Sequence, residues 1–269
     1  MGQYHQFMNF DKKEILQSSY GIKLMEWSYQ KNDLLLQVEE LLKSRWKGDR
    51  VLVVGDYVDE FYDNSKASKL LKNIRNENSQ EQTENIYYYQ YKELKNKVYP
   101  DKHLASRYIY NHNKKEYVDL KRQPVQWIYY EPKENRIYGA KIHPLSLLLS
   151  CSNGAGGGDY RGKNEGYVGE WIEDSSSLEF LSEPLNVDYE ELDVVFDENK
   201  EIEDNISRIV GYMLDLRDLE SVNEETLKKI EFDNSFYFTQ EEKQKVISLV
   251  LERIKNKEEV KELEEEIEK

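Results

Sequence analysis

The residues most able to do chemistry sit in Asn153-Gly154-Ala155-Gly156-Gly157-Gly158-Asp159-Tyr160-Arg161-Gly162, which places five of the chain's thirteen glycines in nine positions. Glycine costs backbone entropy, so such density marks unusual dihedrals or a close approach of backbone to another group. Successive N–H groups in a glycine-rich loop can form an anion nest. Arg161 and Lys163 would add positive charge, and Asp159 could hold a hydroxyl or a cation. A phosphate-binding P-loop needs a strand, the loop and then Gly-Lys-Ser/Thr opening a helix. Here Gly162-Lys163 is followed by Asn164, a short helix precedes the loop and a strand is expected after it. A dinucleotide fingerprint fails on the same order of elements. The alternative is a tight structural loop. The ligand candidates are therefore Asn153, Gly154, Gly156, Gly157, Gly158, Asp159, Arg161 and Lys163, together with Asp56.

Asp56 belongs to Gly55-Asp56-Tyr57-Val58-Asp59, at the end of the β-branched run Val51–Val54. This G-D-x-x-D resembles the second motif of calcineurin-like metallophosphatases, in which an aspartate bridges two metals. Asn111-His112 could stand for that family's Asn-His pair. The chain lacks the upstream Asp-x-His and the downstream Gly-His-x-His, and Tyr110 stands where the family has glycine. Its four histidines, His5, His103, His112 and His143, are too dispersed for a ligand set, so no metal site is assigned. The plainer reading makes Asp56 and Asp59 the end of a strand and the cap of a turn. A Cys151–His143 nucleophilic pair fails on distance, because eight residues of helix rise about 12 Å. Cys151 reads as a small core hydrophobe and His5, between Tyr4 and Gln6, as structural. No complete catalytic set emerges and no cofactor is called for.

Two further stretches could bind a protein. Tyr87, Tyr88, Tyr89 and Tyr91 form an aromatic block, and tyrosine is enriched at interfaces; the alternative is a half-buried helix face. The acidic run from 188 to 204 includes Asp188, Glu190 and Glu191 against Lys200 alone. It could recruit a basic partner or be a solvated surface.

The elements that must position these groups are legible from periodicity. Strands are expected over 3–10, 22–27, 51–54, 167–172 and 178–181, with a turn at Asp11–Glu14 and an edge strand at Val194–Phe196. A helix over 33–46 is capped by Asn32 and ended by Gly48. Two hairpins join 107–110 to 117–120 and 125–130 to 136–141. A short apolar helix, 145–150, leads into the glycine loop. Residues 63–103 read as a helical insertion with helical patches at 66–75 and 80–97. Helices are expected at 202–217, 223–230 and 240–268. The fold class is thus α+β: a mixed or antiparallel sheet packed by a few helices in residues 1–185, followed by an acidic, mainly helical region from 186 to 269.

Composition sets the outer limits. The chain has 269 residues, 34% of them charged, with 38 Lys+Arg against 53 Asp+Glu and a net charge of −15. Such a surface repels phosphate backbones and anionic membranes, so direct nucleic-acid binding is not expected. One cysteine excludes an internal disulfide and fits a reducing compartment. With no apolar run of about 20 residues and no signal-peptide pattern, a soluble cytoplasmic protein is expected.

Taken together, Met1-Gly2-Gln3-Tyr4, Asn9–Glu14, Gly21–Glu26, Trp46–Tyr57, Asn153–Asp159 and Val168-Gly169-Glu170-Trp171 resemble an uncharacterised family of bacterial and phage-type proteins that begin with an M-G-Q-Y block and carry an N-G-x-G-G-G-D loop followed by V-G-x-W. The resemblance covers about a third of the chain and implies no activity, only that the loop shares a domain with the N-terminal strands. Two functions follow from the residues. One is an acidic interaction protein of inhibitor, immunity or regulatory type, as in phage–host conflict, acting on a protein partner. The other is an enzyme or sensor that binds a nucleotide-like or phosphorylated small molecule through residues 153–163.

Overall fold

The computed structural model describes residues 3–28, 32–58, 65–78, 85–95, 106–123, 125–131, 136–153, 167–192 and 231–232, and scattered positions between 240 and 255. The chain packs as two compact units, residues 1–123 with 142–198, and residues 124–141 with 199–269. The architecture is α+β, with antiparallel and mixed sheets and a few helices.

The first unit opens with strand β1 (His5–Asn9), a turn at residues 10–13, and strand β2 (Glu14–Leu16), which returns antiparallel beside it. Lys13 takes a positive φ of 53° in the turn, and Asn9 Oδ1 accepts from the N–H groups of Asp11 and Lys12. Residues 22–27 do not form the expected strand. Only Ile22 bridges to His5, and Leu24–Trp27 coil into helix α1. The Glu26 carboxylate accepts from Lys23 N–H at 2.6 Å, a cap that turns the chain into a helix. Leu24 and Trp27 then fall on one buried face.

Helix α2 (Asp33–Lys43) starts where the sequence places it, with Asn32 Oδ1 accepting from Leu34 N–H at 2.9 Å. It ends earlier than expected, at Lys43. The turn that follows reaches Gly48, whose φ of 81° only glycine adopts easily. Trp46 is buried in that turn and donates its indole N–H to Glu14 Oε2 at 2.9 Å.

Strand β3 (Val51–Gly55) pairs antiparallel with β1, His5 opposite Gly55 and Asn9 opposite Val51. Helix α3 (Ser65–Glu77) buries Ala67, Leu71 and Ile74, spaced for one helical face. The helix expected over 80–97 is not seen among the described residues. Ile86–Tyr88 make one 3₁₀ turn, and Lys92–Glu93 form strand β4 parallel to β2. The first sheet therefore has the order β3-β1-β2-β4.

Alternation along these strands feeds two cores, as a sheet buried on both faces requires. Phe7, Leu16, Val51 and Val53 point to one side, with Trp27, Leu35, Val38 and Trp46. Met8, Ile15, Leu52 and Val54 point to the other, with α3, Tyr89, Tyr91 and Cys151.

A second sheet closes the first core. Strands β5 (Tyr108–Asn111) and β6 (Glu116–Asp119) form the expected hairpin, with Asn111 Oδ1 accepting from Asn113 and Lys114 N–H groups in its turn. The hairpin of β7 (Val125–Glu131) and β8 (Arg136–Lys141) belongs to the second unit. Helix α4 (Leu145–Leu148) brings the chain back to the first unit with every residue buried. Residues 167–172 form turns rather than a strand, around Gly169 at a φ of 73°. Strands β9 (Leu178–Leu181) and β10 (Glu190–Glu191) complete the second sheet in the order β10-β6-β5-β9.

In the second unit, β11 (Glu231–Phe232) runs parallel to β8. Every described position from Gln240 to Lys255 is helical. Residues 202–217 and 223–230, where helices are expected, and Val194–Phe196 lie outside the described residues. Among the described residues no helix is long and apolar enough to cross a membrane.

Candidate functional site

The seven candidates from Gly154 to Lys163 lie outside the described residues. What the structure does place is the root from which they follow. After α4 the chain runs beside β3 in parallel: Val53 N–H donates to Leu149 O at 2.9 Å, and Cys151 N–H donates to Val53 O at 2.8 Å. This segment closes the open edge of β3, which is why a strand at the end of its sheet is buried throughout. Val53 faces Ser150, so continuing the register sets Ser152 near Gly55. Asn153 and the Gly55–Asp56 turn thus leave the sheet at the same edge.

Gln3 and His5 project into this corner. Both are buried, at 0% and 1% exposure. The Ser152 hydroxyl donates to Gln3 Oε1 at 3.1 Å. The Gln3 amide nitrogen has no hydrogen-bond partner, while the His5 ring faces the backbone of Ser152 and Gln3, each contact short of ideal hydrogen-bond geometry. An unsatisfied buried polar group costs about 1–3 kcal/mol.

Gly55 is what allows the convergence. A Cβ at this position would collide with Gln3 Oε1 and would sit 2.8 Å from Gln3 Cδ and 3.0 Å from His5 Nε2. Burial pulls the His5 pKa from 6.5 to about 4, against hydrogen bonding to the backbone of Ser152 and Gln3, which favours the charged ring; the charge of Lys23 adds to the lowering. The imidazole is neutral at pH 7, with one N–H donor and one acceptor nitrogen.

Asp56 follows Gly55 at the end of β3. Its Oδ1 accepts from Tyr4 N–H at 2.9 Å, its own N–H donates to Tyr4 O, and Asn85 donates to its carbonyl at 2.9 Å. It therefore serves as a strand-end cap, as the plainer sequence reading holds, with its carboxylate on the Tyr87 side of the sheet. Tyr4, Tyr20 and Tyr88 are exposed aromatic side chains. Lys23 Nζ lies 3.9 Å from the centre of the Tyr4 ring. Tyr20 precedes Gly21, which lies against that ring. Tyr88 packs edge-on to Tyr87 at 5.1 Å, and burial, then the charges of Asp56 and Tyr88, push the Tyr87 hydroxyl up to about 12.

The other sequence candidates separate. Tyr89 and Tyr91 are core residues, not a contact patch, so the tyrosine block leaves Tyr88 and part of Tyr87 at the surface. Glu190 and Glu191 pair with β6. Glu191 also accepts from the Tyr117 hydroxyl at 3.0 Å and pairs with Arg122, so it is engaged within the fold. Asp188 is exposed.

Asn111 is buried in its turn, and the His112 ring is held between Tyr189 OH (3.1 Å) and Glu179 (2.8 Å). No group of three His, Cys, Asp or Glu among the described residues could hold a metal. His143 Nε2 lies 2.5 Å from Glu39 Oε1 in a fully buried pair and is not near a nucleophile role with Cys151, whose thiol burial pushes up. A cleft of about 510 Å³ beside α2 is lined by Lys43, Lys47, His112, Ser177 and Glu179, among others. Lys43 in it already pairs with Glu40 at 2.9 Å.

Gln3, Ser152 and the role of His5 were missed by sequence reasoning. One signal existed: Gln3 and His5 occupy the same face of β1 as Phe7, so polar residues stand at inward positions of a buried strand. No protein-family model, no curated protein and no solved structure matches the chain.

Proposed function

We propose that the protein binds a small molecule near the Gln3–His5 corner, using the glycine loop 153–163 that begins at its edge. The observation that carries this reading is the buried polar cluster of Gln3, His5 and Ser152, with an orphaned Gln3 amide nitrogen, at the root of that loop. A ligand supplying the missing hydrogen bond would offset about 1–3 kcal/mol. Ser152, the residue before the N-G-x-G-G-G-D segment, is hydrogen-bonded to Gln3 of the M-G-Q-Y block. Sensing or carriage fits better than catalysis. A general base works best with a pKa near the operating pH, and His5, at about 4, is far below it. The burial of Tyr89 and Tyr91 weakens the alternative of a tyrosine contact patch.

The test is native mass spectrometry of protein purified from its own host, with a Gly157→Val/Asp159→Ala variant beside it. A retained molecule, lost in the variant while its circular dichroism is unchanged, is the expected result. A stoichiometric protein partner retained equally by both forms would overturn the proposal.

A further inference from the structure

We infer that the open edge of β9 is a docking site for an extended acidic segment of a partner protein, which adds to the second sheet as a further strand beside the lysines at the end of α2. This site is separate from the glycine loop and does not rest on the binding reading above.

The second sheet leaves backbone groups over at this edge. Leu120 N–H donates to Arg107 O, so the odd-numbered residues of β5 turn their backbone groups towards β6. His112 N–H donates to Ser177 O, so the even-numbered ones turn theirs towards β9. With Tyr110 opposite Glu179 and Tyr108 opposite Leu181, the N–H and C=O groups of Glu179 and Leu181 face β5, and those of Leu178 and Phe180 face away from it. Among the described residues β9 pairs with no other strand. Donors and acceptors alternating along an open edge are a template for another strand.

A cleft follows the same edge. The space of about 510 Å³ beside α2 is lined on one side by the consecutive residues Ser176 to Phe180 and on the other by Leu42, Lys43 and Lys47. Side chains along a strand alternate between faces, so Leu178, Glu179 and Phe180 can line it together only where it runs along the edge. Leu178 and Phe180 share the core with Leu42, and the lysines flank that face. Glu179 stands on the other face, where the His112 ring holds it at 2.8 Å.

Charge selects the occupant. Lys43 is engaged by Glu40 at 2.9 Å, whereas Lys47 is exposed and meets no acidic group among the described residues. In a chain of net charge −15 the cleft sets two lysines against one carboxylate, that of Glu179. An added strand turns every second side chain towards the lysines, so the matching pattern is two acidic residues spaced by one.

The probe is the blocked peptide Thr-Glu-Thr-Glu-Thr, β-prone through its threonines, labelled and titrated with the full chain by fluorescence anisotropy. Comparison peptides carry Lys for Glu, or N-methyl groups on the Thr amides or on the Glu amides. An edge strand uses only alternate amides, so one methylated form is expected to bind as the parent does and the other about tenfold more weakly. The Lys peptide is expected to bind about tenfold more weakly, and Lys47→Glu to lose about fivefold for the parent with its circular dichroism unchanged. Amide exchange of Leu178 and Phe180, and not of Glu179 and Leu181, is expected to slow when the parent peptide is added. Should Lys47→Glu fail to fold, the two methylated peptides decide alone.

A parent peptide with a Kd above about 1 mM would overturn the inference, as would equal behaviour of the two methylated forms or binding of the Lys peptide as tight as the parent's. Leu178 and Phe180 amides already protected in the free chain would overturn it too, a dimeric mass in sedimentation then giving the edge to a second copy of this chain.

Discussion

His5 makes the energetics of the polar corner measurable without any ligand. Its folded pKa of about 4 lies below the ordinary 6.5 of an exposed histidine, burial being the main cause. Between those two values the unfolded chain binds the extra proton and the folded one does not. Stability from this residue is therefore complete above pH 6.5 and is lost as pH falls towards 4. The gap of about two and a half pH units corresponds to about 3 kcal/mol in all, of which about 2.5 kcal/mol is gone by pH 4.5.

Three carboxylates are kept out of that window. For Asp11, Glu14 and Glu39, burial raises the pKa, but hydrogen bonds and nearby cations outweigh it and hold each below its ordinary value of 3.8 or 4.5. Their contributions are lost mainly below about pH 4.5. The assay is urea unfolding at half-unit steps from pH 7.5 to 4.5, read by the fluorescence of Trp27, Trp46 and Trp171, which are fully buried in the first unit. A Trp127→Phe background confines the signal to them. The wild type should lose about 2 kcal/mol more than His5→Leu between pH 6.5 and 4.5. Parallel pH profiles for the two proteins would refute the reasoning, because they would mean that the ring is solvated or already partnered.

Other perturbations test the packing that holds this corner. Glu39→Gln replaces the carboxylate that His143 contacts in a fully buried site and should cost about 1–3 kcal/mol in the same urea assay, with the Glu39→Gln/His143→Gln double variant costing less than the two singles added. Gly55→Ala places a methyl against Gln3 and should cost about 1–3 kcal/mol, recovered in large part by adding Gln3→Ala, as thermal unfolding would show.

The elements legible in the sequence were those whose own residues carry the whole signal. The alternation in β1, the Val51–Val54 run, the Asn32 cap with the apolar stripe of α2, and the Asn111 turn of the β5–β6 hairpin are local statements, and each element forms where it is expected. The expectations that failed needed a partner distant in sequence or a special dihedral. Leu24–Trp27 looks like a strand until the Glu26 cap and the Trp27 bond to His5 O turn it into a helix. Residues 167–172 alternate like a strand but turn at Gly169. Ile86–Tyr91 carries helical spacing, yet it makes only one 3₁₀ turn, with Tyr89 and Tyr91 drawn into the core.

By itself, then, the amino-acid sequence determined the α+β class, the acidic surface and the glycine loop as a place to look, because composition, periodicity and glycine density are properties of the chain alone. Only the tertiary structure decided what stands at the root of that loop. Gln3 and Ser152 are 149 positions apart, and no local pattern encodes their meeting. It arises because β3 pairs with β1 on one edge and with the 149–151 segment on the other, and because Gly55 leaves room for Gln3 and His5 between them.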